Sequence, residues 1–260
     1  MKIVFVILET SLYFPEYLRE VLEKLDGHEV VGAVLVTGCP PAGDLEKYML
    51  RHFYYLRPAE LVKLGLIKAK YILKNYFSRK NSSKSLCTVR SVLKFYGIDY
   101  IVEDRSINRQ SNIRWLKNLE PDVIMSINPL IFGKEVLAIP KICCLNYHSG
   151  LLPSYKGMWA VFQAVRNGEK VTGGSVHIMN EGIDTGAVLA QEKVPITKND
   201  SVFDLNKKCI RTASSLTLQA FDKVDKGDFS FIENGFPPSY YPLPTKEHWK
   251  DFRKKGGRII

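Results

Sequence analysis

Acidic side chains are in short supply in this chain: 27 Asp and Glu face 37 Lys and Arg, leaving a net charge of +10. A surplus of that size asks for an anionic partner, and nucleic acid, a membrane surface, a nucleotide-linked metabolite or a polyanionic cofactor would each answer it. Cysteine is too sparse to staple a fold. Cys39, Cys87, Cys143, Cys144 and Cys209 are odd in number and lack zinc-type spacing. The adjacent Cys143 and Cys144 read as small core residues, and a reducing, cytoplasmic compartment is expected. No apolar run reaches membrane-spanning length. The run at 2–8 is too short for a signal peptide and has no small-residue cleavage site after it. Gly-x-Gly-x-x-Gly does not follow that run, where Leu8-Glu9-Thr10-Ser11 stands, so a standard dinucleotide site is not expected. Gly-x-Ser-x-Gly is missing as well, no serine or cysteine stands out as a nucleophile, and no His, Asp and Glu cluster has metal-ligand spacing.

What is present is an ordinary globular composition, 45% hydrophobic and 25% charged over 260 residues, long enough for one large domain with a small appendage. Residues 2–8 are continuously apolar, as in a central parallel strand buried on both faces. Helical spacing over 15–25 sets Tyr17, Leu18, Val21, Leu22 and Leu25 on one side, and a second apolar run covers 29–37. This β-α-β opening predicts an α/β fold built on a Rossmann-like, doubly wound, mainly parallel sheet. Two helices are expected within 44–77. Helices over 86–96 and 108–119 alternate with strands over 97–102 and 122–127, and a loop follows at 128–133. A helix over 157–167 ends at Gly168, and strands over 171–179 and 188–196 flank a turn at Asp184. The longest helix, 201–223, takes Asp200 or Ser201 as its N-cap. Residues 1–224 are thus expected to form the main domain, 44–85 a basic helical insertion, and 225–260 a C-terminal extension too short for an independent fold, with a helix over 245–254.

Between 57 and 84 eight basic residues stand against Glu60 alone, a net +7 of the total +10. Leu61, Leu64, Leu66, Ile67 and Leu73 are interleaved with them. Such a helix can lie on an anionic membrane, guide an anionic substrate, or be a solvated face over a packed stripe.

The chemistry concentrates in Asn146-Tyr147-His148-Ser149-Gly150. Asn146 and His148 are two apart, so on a strand they leave from one face, at the edge where open α/β sheets place their sites. A lone Asp184 follows 36 residues later between Gly182 and Gly186. For an amine attacking an acyl carbon, Asn146 can donate to the developing oxyanion, and His148 can donate or move a proton. Asp184 can orient the imidazole and hold a water that relays the amine's proton. Each of the three could equally be a strand-end or turn residue. The loop 128–133 could be core, or the wall of a pocket for a flat ring.

At these residues the sequence resembles the folate-dependent formyltransferases, which include glycinamide ribonucleotide, methionyl-tRNA and sugar-nucleotide N-formyltransferases. The resemblance rests on Asn146-x-His148-x-x-Leu151-Leu152-Pro153, Tyr155-Lys156-Gly157, Asn167-Gly168-Glu169, Thr172-Gly173, Val176-His177 and Glu181-Gly182-Ile183-Asp184-Thr185-Gly186, and it continues to Gln191 and Pro195-Ile196. It covers about 121–220 strongly and the opening strands weakly. It implies N10-formyltetrahydrofolate as formyl donor, an amine as acceptor, and Asn146, His148 and Asp184 as catalytic residues. It also implies Met125, Ser126, Pro129 and Ile131 as the pterin pocket, touched largely through backbone, with Tyr155, Lys156 and Gly157 toward the acceptor. Lys156 stands where the family usually has Arg, and Ala160 and Gln163 stand where Pro and Trp are common. In layout the chain is most similar to a sugar-nucleotide enzyme, which implies an amino sugar carried by a nucleotide as acceptor. Methionyl-tRNA enzymes look for tRNA with a C-terminal barrel that the tail is too short to form, and purine enzymes usually lack the basic insertion. Methionyl-tRNA, glycinamide ribonucleotide, water in a formyltetrahydrofolate hydrolase, and a non-catalytic binding protein on the same core are the alternatives. An anionic membrane surface at 57–84 and a homodimer are further partner expectations.

Overall fold

The computed structural model describes residues 1–10, 13–38, 55–78, 86–233 and 235–260. The chain divides into two compact units, Met1–Leu145 and Asn146–Ile260. The first of the two helices expected within 44–77, the end of the basic insertion at 79–85 and Cys39 lie outside the described residues.

The first unit is built on β1 (Lys2–Leu8), whose Ile3 to Ile7 are fully buried. It pairs in parallel with β2 (Glu29–Val36) on one side and β4 (Val123–Ile127) on the other, and β2 pairs in parallel with β3 (Tyr100–Glu103). The strand order is β3-β2-β1-β4, then β5 (Cys143–His148), of which Cys143 to Leu145 belong to this unit. A strand with neighbours on both sides and both faces covered has no polar position to spare, which is why its sequence is apolar without alternation. Helix α1 (Phe14–Lys24) buries Pro15, Tyr17, Leu18 and Val21, the stripe expected from its spacing. Helix α2 (Pro58–Ser78) follows, and α3 (Val89–Phe95) starts at a capping box in which Thr88 and Ser91 satisfy each other's backbone N–H groups. Helix α4 (Gln110–Asn118) and the short α5 (Lys134–Leu137) complete the unit. The α/β class with a mainly parallel sheet is the one the opening β-α-β pattern predicts.

The second unit takes the last three residues of β5, Asn146 to His148, and the antiparallel pair β7 (Val171–Ile178) and β8 (Val188–Pro195), in the order β5-β7-β8. Between them come β6 (Lys156–Gly157) and α6 (Ala160–Asn167), which ends on Gly168 in the left-handed conformation as its sequence position suggests. The long α7 (Val202–Asp225) is capped by Ser201 in a box with Asp204. Its first N–H groups, on Val202 and Phe203, donate to the carbonyls of Arg258 and Ile259.

The stretch after α7 returns onto the same unit. Strand β9 (Tyr240–Tyr241) pairs in parallel with β6, and α8 (Lys246–Lys254), capped by Thr245, buries Trp249 and Phe252. Phe162 of α6 stacks on Phe252 with centroids 4.5 Å apart and meets Trp249 at 4.8 Å, while Trp159 lies 5.9 Å from Trp249. Trp249 is 1% exposed, so Trp249→Ala should cost about 3–5 kcal/mol of stability in denaturant unfolding. A loss under about 1 kcal/mol would show that the tail is not part of the second unit's core.

Candidate active site

Asn146 and His148 lie in the part of β5 that belongs to the second unit, on one face of the strand, with His148 only 8% exposed. Gly150 makes room for the ring, because a Cβ there would sit 2.7 Å from His148 Nε2. That nitrogen lies 2.8 Å from the Tyr155 carbonyl oxygen. A carbonyl only accepts, so Nε2 carries a proton. The other ring nitrogen, Nδ1, lies 3.4 Å from Asp184 Oδ2.

Asp184 reaches inward from the turn between β7 and β8. Its φ is 51°, the left-handed region that an ordinary residue enters only when surrounding contacts hold it there. Asn180 holds the turn, its Oδ1 accepting from the Gly182 N–H at 3.0 Å and the Thr185 hydroxyl at 2.6 Å. The carboxylate is then shared. Oδ2 accepts the Gly157 N–H at 2.8 Å, and Oδ1 lies 3.5 Å from His177 Nε2. His177 Nδ1 donates to the Ile178 carbonyl at 2.9 Å, which fixes the ring, and its Nε2 meets Asn146 Nδ2 at 3.2 Å. Asn146, His177, Asp184 and His148 thus form one chain of polar contacts. Burial alone would raise the Asp184 pKa, but the His148 charge, the His177 contact and the Gly157 N–H outweigh it and hold the carboxyl well below the usual carboxylate range. The site keeps a largely shielded charge because three neighbours stabilise it.

The backbone that touches both His148 and Asp184 is the segment Tyr155 to Gly157, and the tail clamps it. Tyr155 N–H donates to Ser239 Oγ at 2.8 Å, Lys156 N–H to the Ser239 carbonyl at 3.0 Å and Met158 N–H to the Tyr241 carbonyl at 2.9 Å. Tyr155 itself has a φ of 58°. Gly157, at φ 92°, must be glycine twice over, since a Cβ would also stand 2.3 Å from the Tyr241 carbonyl oxygen. The Tyr155 ring stacks on Tyr241 at 5.4 Å, and its hydroxyl donates to Glu169 at 2.6 Å. Burial and that carboxylate push the Tyr155 phenol well above its ordinary pKa. Beside the clamp opens a cleft of about 200 Å³ lined by Tyr155, Tyr241, Asn167, Glu169 and Phe236 among others; Asn146, His148 and Asp184 do not line it. The loop that follows His148 is fixed separately: Ser175 donates to the Gly150 carbonyl and accepts from the Leu152 N–H, and Gln191 donates to both Ser175 and the Leu152 carbonyl.

Of the residues singled out in the sequence, Asn146, His148 and Asp184 are brought together, and Tyr155 and Gly157 join them through backbone atoms. Lys156 is half-buried beside them. Met125, Ser126, Pro129 and Ile131 belong to the first unit. Met125 and Ser126 are core side chains of β4, with Ser126 Oγ accepting from Asn128 at 3.0 Å. Pro129 is half-buried and Ile131 is 55% exposed, in a loop braced by Asn128 and Asn108. The residue missed among the candidates is His177. A signal existed: Ser175 and His177 alternate on one face of an otherwise apolar strand, the same two-apart spacing as Asn146 and His148. The Ser239 clamp left no local signal. Among the described residues the cysteines are buried, and burial pushes the Cys143 thiol up to about 11 and the Cys144 and Cys209 thiols up to about 12.

Against known proteins, residues 53–221 match the family model described as Formyl transferase. A methionyl-tRNA formyltransferase of Kosmotoga olearia is 31% identical over 193 residues, which is 70% of this chain and 61% of that protein. The chain spans about half the length of the curated relatives it matches, 61% and 50% of two of them. Among solved structures, glycinamide ribonucleotide transformylase 1 from Symbiobacterium toebii superposes with a TM-score of 0.61 at 17% identity, covering 90% of this chain and 91% of that one. An N-formyltransferase from Helicobacter canadensis, in complex with folinic acid and dTDP-3-aminofucose, gives a TM-score of 0.56 at 18% identity, covering 94% and 71%. At such identities the structural likeness establishes the fold.

The Asp184 environment has a consequence for stability. Its folded pKa lies below the unfolded value of about 3.9, so its contribution is complete above that pH and is lost as pH falls through the folded value. Urea unfolding between about pH 5 and pH 3 should therefore show wild type losing more stability than Asp184→Asn, which cannot titrate in that window. Equal losses in the two proteins would mean that the carboxylate is not held charged by its neighbours.

Proposed function

The chain belongs to the formyltransferase family, and on that premise we propose that it moves a formyl group from N10-formyltetrahydrofolate to a primary amine. The observation that carries this reading is the polar chain of Asn146, His177, Asp184 and His148, with successive contacts of 3.2, 3.5 and 3.4 Å. The folate supplies an activated formyl carbon, and this set of side chains fits what its transfer requires. Asn146 brings an amide N–H with no charge of its own to the formyl oxygen as negative charge develops there. His148 has a ring N–H at Nε2 that now rests on the Tyr155 carbonyl. A substrate oxygen that takes that place would meet a donor backed, through Nδ1, by the Asp184 carboxylate. Asp184 can hold a water that takes the proton from the attacking amine as the new C–N bond forms and passes it on to the folate nitrogen as the bond from that nitrogen to the formyl carbon breaks. His177 lies between Asn146 and Asp184, its Nε2 3.2 Å from the Asn146 amide nitrogen and 3.5 Å from the Asp184 carboxylate, so that it can accept from the one or donate to the other.

The acceptor we assign is the amine of an amino sugar carried by a nucleotide. The Helicobacter canadensis protein, complexed with folinic acid and dTDP-3-aminofucose, supports that class, and a net charge of +10 suits a diphosphate. The 31% identity to a methionyl-tRNA formyltransferase favours a second acceptor, the amine of an aminoacyl-tRNA.

An acceptor panel decides. Purified protein with N10-formyltetrahydrofolate should release tetrahydrofolate when offered a GDP-, dTDP- or UDP-linked amino sugar, and not when offered glycinamide ribonucleotide or methionyl-tRNA. His148→Ala and Asp184→Ala should each lower that turnover on the order of 100- to 10,000-fold while folate binding stays measurable. Turnover with methionyl-tRNA alone replaces the sugar acceptor. Release without any acceptor replaces transfer by hydrolysis, and wild-type rates in either variant remove the site.

A further inference from the structure

We propose that α2 docks the protein on an anionic lipid surface. The helix has two apolar sides. Glu60, Leu64 and Ile67 are buried or half-buried, as expected of the face turned to the protein, and Glu60 spends its carboxylate on the Arg57 N–H at 2.9 Å. The opposite side carries Leu61, Val62, Leu66 and Leu73, which are 41%, 63%, 66% and 55% exposed, with Gly65 and Ala69 exposed among them. At about 100° per residue these six positions fall within an arc of roughly 140°. Lys63 and Lys70 flank one edge of the arc and Lys68 the other, all exposed.

An aliphatic strip bordered on both sides by lysines is the layout of a helix lying in a membrane interface. The strip enters the acyl boundary, and the lysine stems run up its flanks to hold their ammonium groups at the phosphates. The charge decides between occupants. A second copy meeting this face about a two-fold axis would bring like rows of lysine together around the same strip, which opposes pairing. Nucleic acid needs cations or aromatic rings at the centre of the contact, and here the centre is Leu and Val. Anionic lipid satisfies the strip and its borders at once. No helix among the described residues is long and apolar enough to cross a membrane, so α2 would lie on the surface rather than span it.

Flotation of the full chain with vesicles tests this. Binding should be strong to phosphatidylcholine vesicles containing phosphatidylglycerol, weak to phosphatidylcholine alone, and should fall steeply as salt is raised. Lys63→Gln, Lys68→Gln and Lys70→Gln together should lower partitioning on the order of 100-fold. Leu66→Ser with Leu73→Ser should also release the protein, with far-UV circular dichroism unchanged because these side chains are already exposed. Absent flotation, or binding indifferent to phosphatidylglycerol and salt, overturns the proposal. So does a Leu→Ser pair that dissolves a dimer in sedimentation while leaving vesicle binding intact, which would give the face to a second copy.

Discussion

The carboxylate of Asp184, its side chain 12% exposed, organises the second unit. Asp184 is largely shielded from water, and such a charge is tolerable only where its lone pairs are matched by donors or positive charge. The chain meets that need from three separate places in the sequence: His148 at the end of β5, His177 within β7, and the Gly157 N–H of β6. Each of those is in turn held by something else. The left-handed Asp184 backbone is fixed by Asn180, the His148 ring by the Tyr155 carbonyl, and the β6 segment by Ser239. The tail, anchored by aromatic packing through Trp249 and Phe252, therefore bears on how the backbone beside Asp184 is held, not only on stability.

Much of the fold was legible because its signals are local. The apolar run of β1, the stripe of α1 and the Ser201 cap of α7 each announce themselves within a few residues, and the structure places them within a residue or two of expectation. Asn146, His148 and Asp184 were legible as polar residues at strand ends among glycines. His177 escaped because it sits inside a strand, two residues from Ser175, where a buried polar residue reads as a satisfied core group. The contacts of Ser239 escaped for a different reason: they arise from backbone N–H and carbonyl groups, which every residue carries and no composition reveals.

Helix α2 shows the limit of charge counting. Its lysines were evident in the sequence, but a lysine beside a leucine is compatible with three different environments. Exposure adds what charge does not: Leu64 and Ile67 are half-buried, while Leu61, Val62, Leu66 and Leu73 are exposed. A helix apolar on two sides has little net amphipathicity, so the periodicity that identifies a core-facing helix hides a second face.

The pairing of β6 with β9 also sets an order of events during synthesis. Tyr155 receives its Ser239 partner from 84 residues downstream. A chain emerging vectorially from the ribosome presents β5, α6, β7 and the Asp184 turn well before residues 239–241 exist. Until they arrive, the Tyr155 and Lys156 N–H groups lack the acceptors that hold that segment against His148 and Asp184. The backbone that touches His148 and Asp184 is thus held in place only after the last part of the tail has been made.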